Sequence, residues 1–275
     1  MTNIQCQMTN EGIDLLNRMK SNSRWDGKDD FPSCPEWEKE VKAWLKFISD
    51  EGQFERFRPR LKDKPSQRDS ALAEISVAYY LSKIKGFKII DWFPIGENGC
   101  EGEFVFDYFG AQIWCEVKAP GWESDFIING VPSKRLSFSK YINGECRSVD
   151  DSNKIRHAVE LSYKKFLENK INLLIIADDF IIPLNQNTYG RQMIWKSLYY
   201  NKLKPPYADG QEKECFMSEK FQNLSGLATF NCQLQGGNIQ YDFKIYRNLN
   251  SVCPLPEKGA LVDSTQDLLN MSAAV

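Results

Sequence analysis

The stretch Glu101–Pro120, EGEFVFDYFGAQIWCEVKAP, carries Glu101, Glu103, Asp107, Glu116 and Lys118 within two alternating segments that flank Gly110-Ala111. Alternation of this kind reads as a β-hairpin, with successive side chains on opposite faces. If Phe109 pairs with Gln112, then Glu103 lies opposite Lys118, Val105 opposite Glu116 and Asp107 opposite Trp114. Residues 103, 105 and 107 then share a face with 114, 116 and 118. Phe104, Phe106, Tyr108, Ile113, Cys115 and Val117 form an uninterrupted apolar face on the other side, so a one-residue slip would put charges in the core. Glu103, Glu116 and Lys118 therefore meet at one end of the hairpin. Mg²⁺ is commonly held by one or two carboxylates together with water and phosphate oxygens. A neighbouring lysine orients water and offsets phosphoryl charge. The outline is that of phosphodiester hydrolysis. The plainer alternative is an exposed face with ordinary Glu–Lys cross-strand pairs.

The elements around this hairpin follow from periodicity. A short amphipathic candidate covers 11–20, and from Pro35 onward Trp37, Val41, Trp44, Leu45 and Ile48 form a helical stripe. Residues 56–68, RFRPRLKDKPSQR, read as a basic linker that is either solvated surface or a phosphate contact. A helix is expected over 70–85, with Glu74 polar in an otherwise apolar stripe and Gly86 at its stop. Strands are expected at 87–95, 103–109 and 112–119, then a loop-rich excursion over 121–150. A helix over 153–168 leads into Ile171–Ala177, an apolar run fit for a buried central strand. A helix near 190–200 and a second hairpin, 227–234 with 239–246, complete the order. The fold class is α/β, a mixed central sheet flanked by helices in the order α-β-β-β-α-β with a C-terminal β-hairpin. The organisation expected is an N-terminal helical extension (1–60), a core (61–255) and a weakly structured tail (256–275).

Composition excludes much else. The 275 residues carry a formal charge of −2, with 42% hydrophobic residues, enough for a sizeable core. The single histidine, His157, rules out two-histidine zinc chemistry within the chain, and there is no GxSxG elbow, GxxxxGK[ST] loop or GxGxxG turn. Eight scattered cysteines without a CxxC pair argue for reduced thiols. No apolar run approaches a membrane span and no secretory leader is read, so a cytoplasmic protein is expected.

Glu74 in SALAEISVAYYLSKIKGF, Glu103 in EGEFVFD and Glu116-Val117-Lys118 in WCEVKAPGW make residues 60–178 resemble the PD-(D/E)xK nuclease superfamily, with its restriction-endonuclease-like and Holliday-resolvase-like fold. The resemblance implies catalytic Glu74, Glu103, Glu116 and Lys118. Glu103, Glu116 and the Val117 backbone carbonyl would ligate Mg²⁺, with Mn²⁺ able to substitute. Glu74 would act through a water, and Lys118 would position the attacking water. One departure stands out: the usual Pro-Asp is Gly102-Glu103. The second acid is therefore open among Glu101, Glu103 and Asp107, with Glu103 favoured for facing Lys118 and Asp107 in reserve.

The reading that follows is a Mg²⁺-dependent nuclease acting on nucleic acid, DNA ahead of RNA, with a protein partner or homodimer as a further expectation. The alternative is a catalytically inactive nuclease-fold protein serving as a nucleic-acid-binding or scaffolding subunit. The net charge argues that phosphate contacts come from local patches, bound metal or a partner. Lys154, Arg156, His157 and Lys164 are either such contacts or solvated charges, and Trp114 and Trp122 either stack on a base or pack. A two-carboxylate glycosidase leaves the lysine without a role.

Overall fold

The computed structural model describes residues 35–63, 65–96, 99–120, 127–128, 131–132, 152–177, 191, 194, 197–198, 216, 219–235, 237–257 and 262–267. The 11–20 candidate, Trp122 and most of the 121–150 excursion lie outside them. The chain divides into two compact units. One comprises residues 1–79, 123–146 and 233–240, the other 80–122, 147–232 and 241–275. No helix among the described residues is long and apolar enough to cross a membrane.

Among the described residues of the first unit is helix α1 (Pro35–Asp50), whose Val41, Trp44, Leu45 and Ile48 are buried as their spacing predicts. The expected basic linker is not a linker. Phe54–Lys62 forms a helix, α2, despite Pro59 inside it, because Phe57 and Leu61, one turn apart, are both buried. The charges and the proline concealed that stripe. Helix α3 (Pro65–Ser82) opens with proline at its first position, where a missing N–H costs nothing. Arg68 is buried and donates to the carbonyls of Leu61 and Asp63, so it fastens the turn between α2 and α3.

In the second unit, β1 (Phe87–Trp92), β2 (Phe104–Tyr108) and β3 (Ala111–Lys118) form an antiparallel meander. The small two-strand ladder that comes next in chain order, β4 (Ile127–Ile128) with β5 (Val131–Pro132), belongs to the first unit. Helix α4 (Ser152–Tyr163) leads to β6 (Ile171–Ala177), which runs parallel to β3 on one side and to β7 (Gly226–Gln235) on the other. Next in the sheet are β8 (Asn238–Arg247) and β9 (Val262–Asp263), giving a seven-stranded order β1-β2-β3-β6-β7-β8-β9. The class is mixed α/β, as expected. Residues 256–275 include β9, which pairs parallel with β8. The expected 190–200 helix is helical at Arg191, Ile194, Ser197 and Leu198.

The β2–β3 register differs from expectation by two residues. Tyr108 pairs with Ala111 and Phe104 with Cys115, so the turn is Phe109-Gly110. Both turn residues have positive φ, 50° and 86°, the geometry of a two-residue type I′ turn. Phe109 accepts that conformation because its N–H donates to the Gly86 carbonyl and its ring lies where a Gly86 Cβ would be, 2.5 Å away. A two-residue shift preserves parity, so the two faces keep their membership. It changes who faces whom: the register ends with Phe104 opposite Cys115, and Glu103, just beyond it with its N–H on the Cys115 carbonyl, comes beside Glu116.

Helix α4 covers the face that carries these acids. Trp114, on that face, joins Ile155, Val159, Phe166, Leu174 and Leu227 in one core cluster, with Val105 packed against it. The opposite face buries Phe104, Phe106, Tyr108, Ile113 and Val117. The sheet is buried on both sides here, which overturns the reading of an exposed charged face.

Candidate functional site

Glu116 sits in the middle of the buried run of β3 and is completely buried; Glu103, one residue before β2 begins, is 9% exposed. The Glu103 N–H donates to the Cys115 carbonyl, which holds its backbone against β3. Two carboxylates are thus placed side by side in a dry part of the molecule. Like charges opposite each other destabilise a sheet, and burial adds to the penalty. The Glu103 carboxyl responds by holding its proton up to about pH 8, chiefly through burial and then through the Glu116 charge. The retained proton lets it hydrogen-bond to Glu116.

Two ammonium groups oppose these acids. Lys118, two residues beyond Glu116 and so on the same face, places Nζ 3.0 Å from Glu116 Oε2 and 3.7 Å from Glu103 Oε1. Lys165 makes the same two contacts at the same distances, 3.0 and 3.7 Å, from the turn after α4. Both cations use the same oxygen of each acid. The other oxygens, Glu116 Oε1 and Glu103 Oε2, are buried and receive no N–H or hydroxyl donor among the described residues, which leaves the two acids to each other. Unpartnered buried acceptors are rare and costly in proteins.

Lys165 was outside the sequence reading, which kept residues 153–168 helical. The helix stops at Tyr163 because Asn172, buried in β6, pins the following turn. Its side chain donates to the carbonyls of Leu167, Lys170 and Asn223 and accepts from the Leu167 N–H. Asn169, at φ 57°, reverses the chain. Phe166, buried in the core, fixes Lys165 beside it. The available signal was Asn169, a residue that tolerates the left-handed conformation at helix ends.

The remaining candidates fall elsewhere. Asp107 lies at the turn end of the hairpin, where its Oδ1 accepts from the Gly110 N–H, so it serves the turn. Glu101 is exposed in an isolated bridge with Ile95. Glu74 is buried in the first unit and held by Arg60, whose two terminal nitrogens donate to its two oxygens at 2.6 and 2.5 Å. Trp114 is buried beneath α4 and is a packing residue, not a stacking platform. Arg156 is buried, whereas His157 and Lys164 are exposed and Lys154 is half-buried. The Cys115 thiol is pushed well above its ordinary range by complete burial, which keeps it protonated and unreactive.

The departure at Gly102 has a physical reason. A Cβ there would lie 2.5 Å from the Trp114 ring, and the Gly102 N–H donates to the Pro94 carbonyl. A proline would clash with the ring and lack the donor.

The donor set fits a hard divalent cation. Among the described residues no three His, Cys, Asp or Glu side chains cluster as a ligand set. Each acid offers an oxygen that neither lysine takes, and backbone alternation adds a third group. The Cys115 carbonyl points toward β2, so the Val117 carbonyl, two residues on, points to the same side, beyond the start of that strand. One or two carboxylates supplemented by a carbonyl and water suit Mg²⁺ or Mn²⁺.

No family model matches the chain, and no curated protein matches it. Among solved structures it is similar to one described as the structure of Pyrococcus furiosus SfsA in complex with Ca²⁺. The identity is 16%, the match covers 71% of this chain and 63% of that one, and the TM-score is 0.25. The chain spans under two thirds of that protein, and a TM-score this low carries no argument.

Proposed function

We propose that the chain is a metal-dependent nuclease with a restriction-endonuclease-like core, hydrolysing phosphodiester bonds in nucleic acid, DNA ahead of RNA, at Glu103, Glu116 and Lys118. One observation carries the proposal: two neighbouring buried carboxylates each keep an oxygen that no lysine, hydroxyl or N–H donor among the described residues meets, and they turn to each other instead. Structural carboxylates are ordinarily saturated with donors. A pair of neighbouring, desolvated carboxyls that push on each other's charge is the kind of perturbed cluster that marks functional sites.

Glu103 Oε2, Glu116 Oε1 and the Val117 carbonyl would hold Mg²⁺, or Mn²⁺ in its place. A divalent cation bound there supplies Lewis-acid polarisation of a phosphoryl oxygen and makes water a stronger nucleophile at neutral pH. Glu103 would have to give up its proton to join such a ligand set. Lys118 is anchored by Glu116 Oε2, and its three N–H donors allow it to hold the attacking water or a phosphoryl oxygen at the same time. The reaction consumes one water. A new P–O bond forms to the water oxygen, the P–O bond to the leaving alcohol breaks, and a proton passes to that alcohol oxygen. Burial of the acids strengthens each of these electrostatic contacts. Glu74 is engaged by Arg60, and no step of the proposal depends on it.

A second reading, an inactive nuclease-fold binding or scaffolding subunit, is favoured by the two ammonium groups that neutralise the acids. Incubation with single-stranded, duplex and branched DNA and with RNA, in Mg²⁺, Mn²⁺ or EDTA, separates the two. Cleavage that requires metal and disappears in Glu116→Ala and Lys118→Ala supports the nuclease. Absence of cleavage from folded, metal-binding protein supports the subunit, and cleavage surviving both substitutions rejects this site.

A further inference from the structure

Lys165 has no place in the resemblance that brought attention to the hairpin, yet its contacts match those of Lys118 in partner and distance. The two ammonium groups arrive from different directions, one along β3 and one from the turn after α4. Each is about as accessible as the other, with side chains 26% and 30% exposed, so neither is sealed in the core. The turn bearing Lys165 is fixed by the buried Asn172 and by Phe166. A lysine needed only as a surface charge would not require such anchoring.

Charge arithmetic shows what the second ammonium is for. Two ionised carboxylates and two lysines sum to zero. Entry of one divalent cation leaves an excess of two positive charges in a poorly solvated place, where uncompensated charge is costly. A phosphodiester under attack carries two negative charges on its phosphoryl oxygens and restores neutrality. With Lys118 alone, one divalent cation would leave the same state with an excess negative charge, and neutrality would call for further cationic help, such as a second metal. With both lysines present, a second metal would overcharge the site, and no third acid joins the ligand set among the described residues.

Resting on the nuclease reading above, we propose that Lys165 is a phosphate-binding residue that takes the place of a second metal, so that the site works with one divalent cation. One donor of its ammonium stays on Glu116 and the others meet a phosphoryl oxygen of the nucleic-acid backbone.

The test combines Mn²⁺ titration by calorimetry and electron paramagnetic resonance with binding of a labelled oligonucleotide in Ca²⁺. Wild-type protein is expected to bind one Mn²⁺. Lys165→Met should keep that stoichiometry with no loss of Mn²⁺ affinity, which also shows that the site is folded, while oligonucleotide affinity falls about tenfold. Lys165→Arg, which keeps the charge, should stay within about threefold of wild type, and Lys165→Glu should admit a second Mn²⁺. Two coupled Mn²⁺ ions in wild type would overturn the proposal. So would unchanged oligonucleotide affinity in Lys165→Met, or a loss of Mn²⁺ binding in that variant, since either would make Lys165 a structural counter-ion. Wild-type protein that binds no Mn²⁺ would instead reject the underlying metal-site reading, and with it this one.

Discussion

The two units of the molecule each bury carboxylate beside cation, and they do so in opposite ways. In the first, Glu74 meets one guanidinium whose two nitrogens reach both of its oxygens, with Ser70 adding a hydroxyl donor. Both oxygens of the acid are used. In the second, Glu103 and Glu116 meet two ammonium groups that crowd onto one oxygen of each acid and leave the others without a cation. Bidentate arginine saturates a carboxylate, whereas a lysine is a point charge that does not. The difference separates a fastening from a site.

The largest test of that contrast is Arg60→Ala. It strips the bidentate guanidinium from a buried Glu74, and a loss of about 3–5 kcal/mol is expected in denaturant unfolding. Lys165→Met should cost about 1 kcal/mol or less, because Lys118 still faces both acids and Lys165 is partly solvated. Equal losses in the two variants would erase the distinction drawn here.

Acid titration gives an intermediate effect. The Glu103 carboxyl is raised from 4.5 to about 8, so the folded, metal-free protein binds more protons than the unfolded chain between those values. Stability then falls as pH rises through this window, by a few kcal/mol at about 1.4 kcal/mol per pKa unit. Measured in EDTA, the decline should flatten in Glu103→Gln, which cannot ionise. A stability that rises between pH 5 and 8, with the same profile in wild type and variant, would show that the acids are not coupled. Smaller again is Gly102→Ala, expected to cost about 1–3 kcal/mol because the new methyl meets the Trp114 ring. A neutral substitution, measured by thermal unfolding, would mean that the ring is free to move.

Much of this contrast was legible in the residues. The apolar run Ile171–Ala177 matches β6 end to end, and the alternation of the hairpin assigned the acids and Lys118 to one face. What periodicity could not supply was tertiary. The register moved by two because Phe109 adopts a left-handed conformation over Gly86. With that shift Glu103 comes beside Glu116 while Lys118 faces both acids, the feature on which the proposed function rests. Lys165 was hidden because a helical pattern was extended past Tyr163, where a buried asparagine from a later strand ends it. Helix α2 was missed for a related reason: four basic residues and a proline outweighed two buried apolar ones in a nine-residue segment. In each case a contact distant in sequence overrode a local preference.

The most direct test of the central claim is the pH dependence of Mn²⁺ binding. If Glu103 and Glu116 are the cation site, metal must displace the proton they share. Affinity should then climb with pH and level off near 8, with about one proton released per ion, and it should collapse in both Glu103→Gln and Glu116→Gln. Affinity that is flat between pH 6 and 8, or that survives either substitution, would contradict the account.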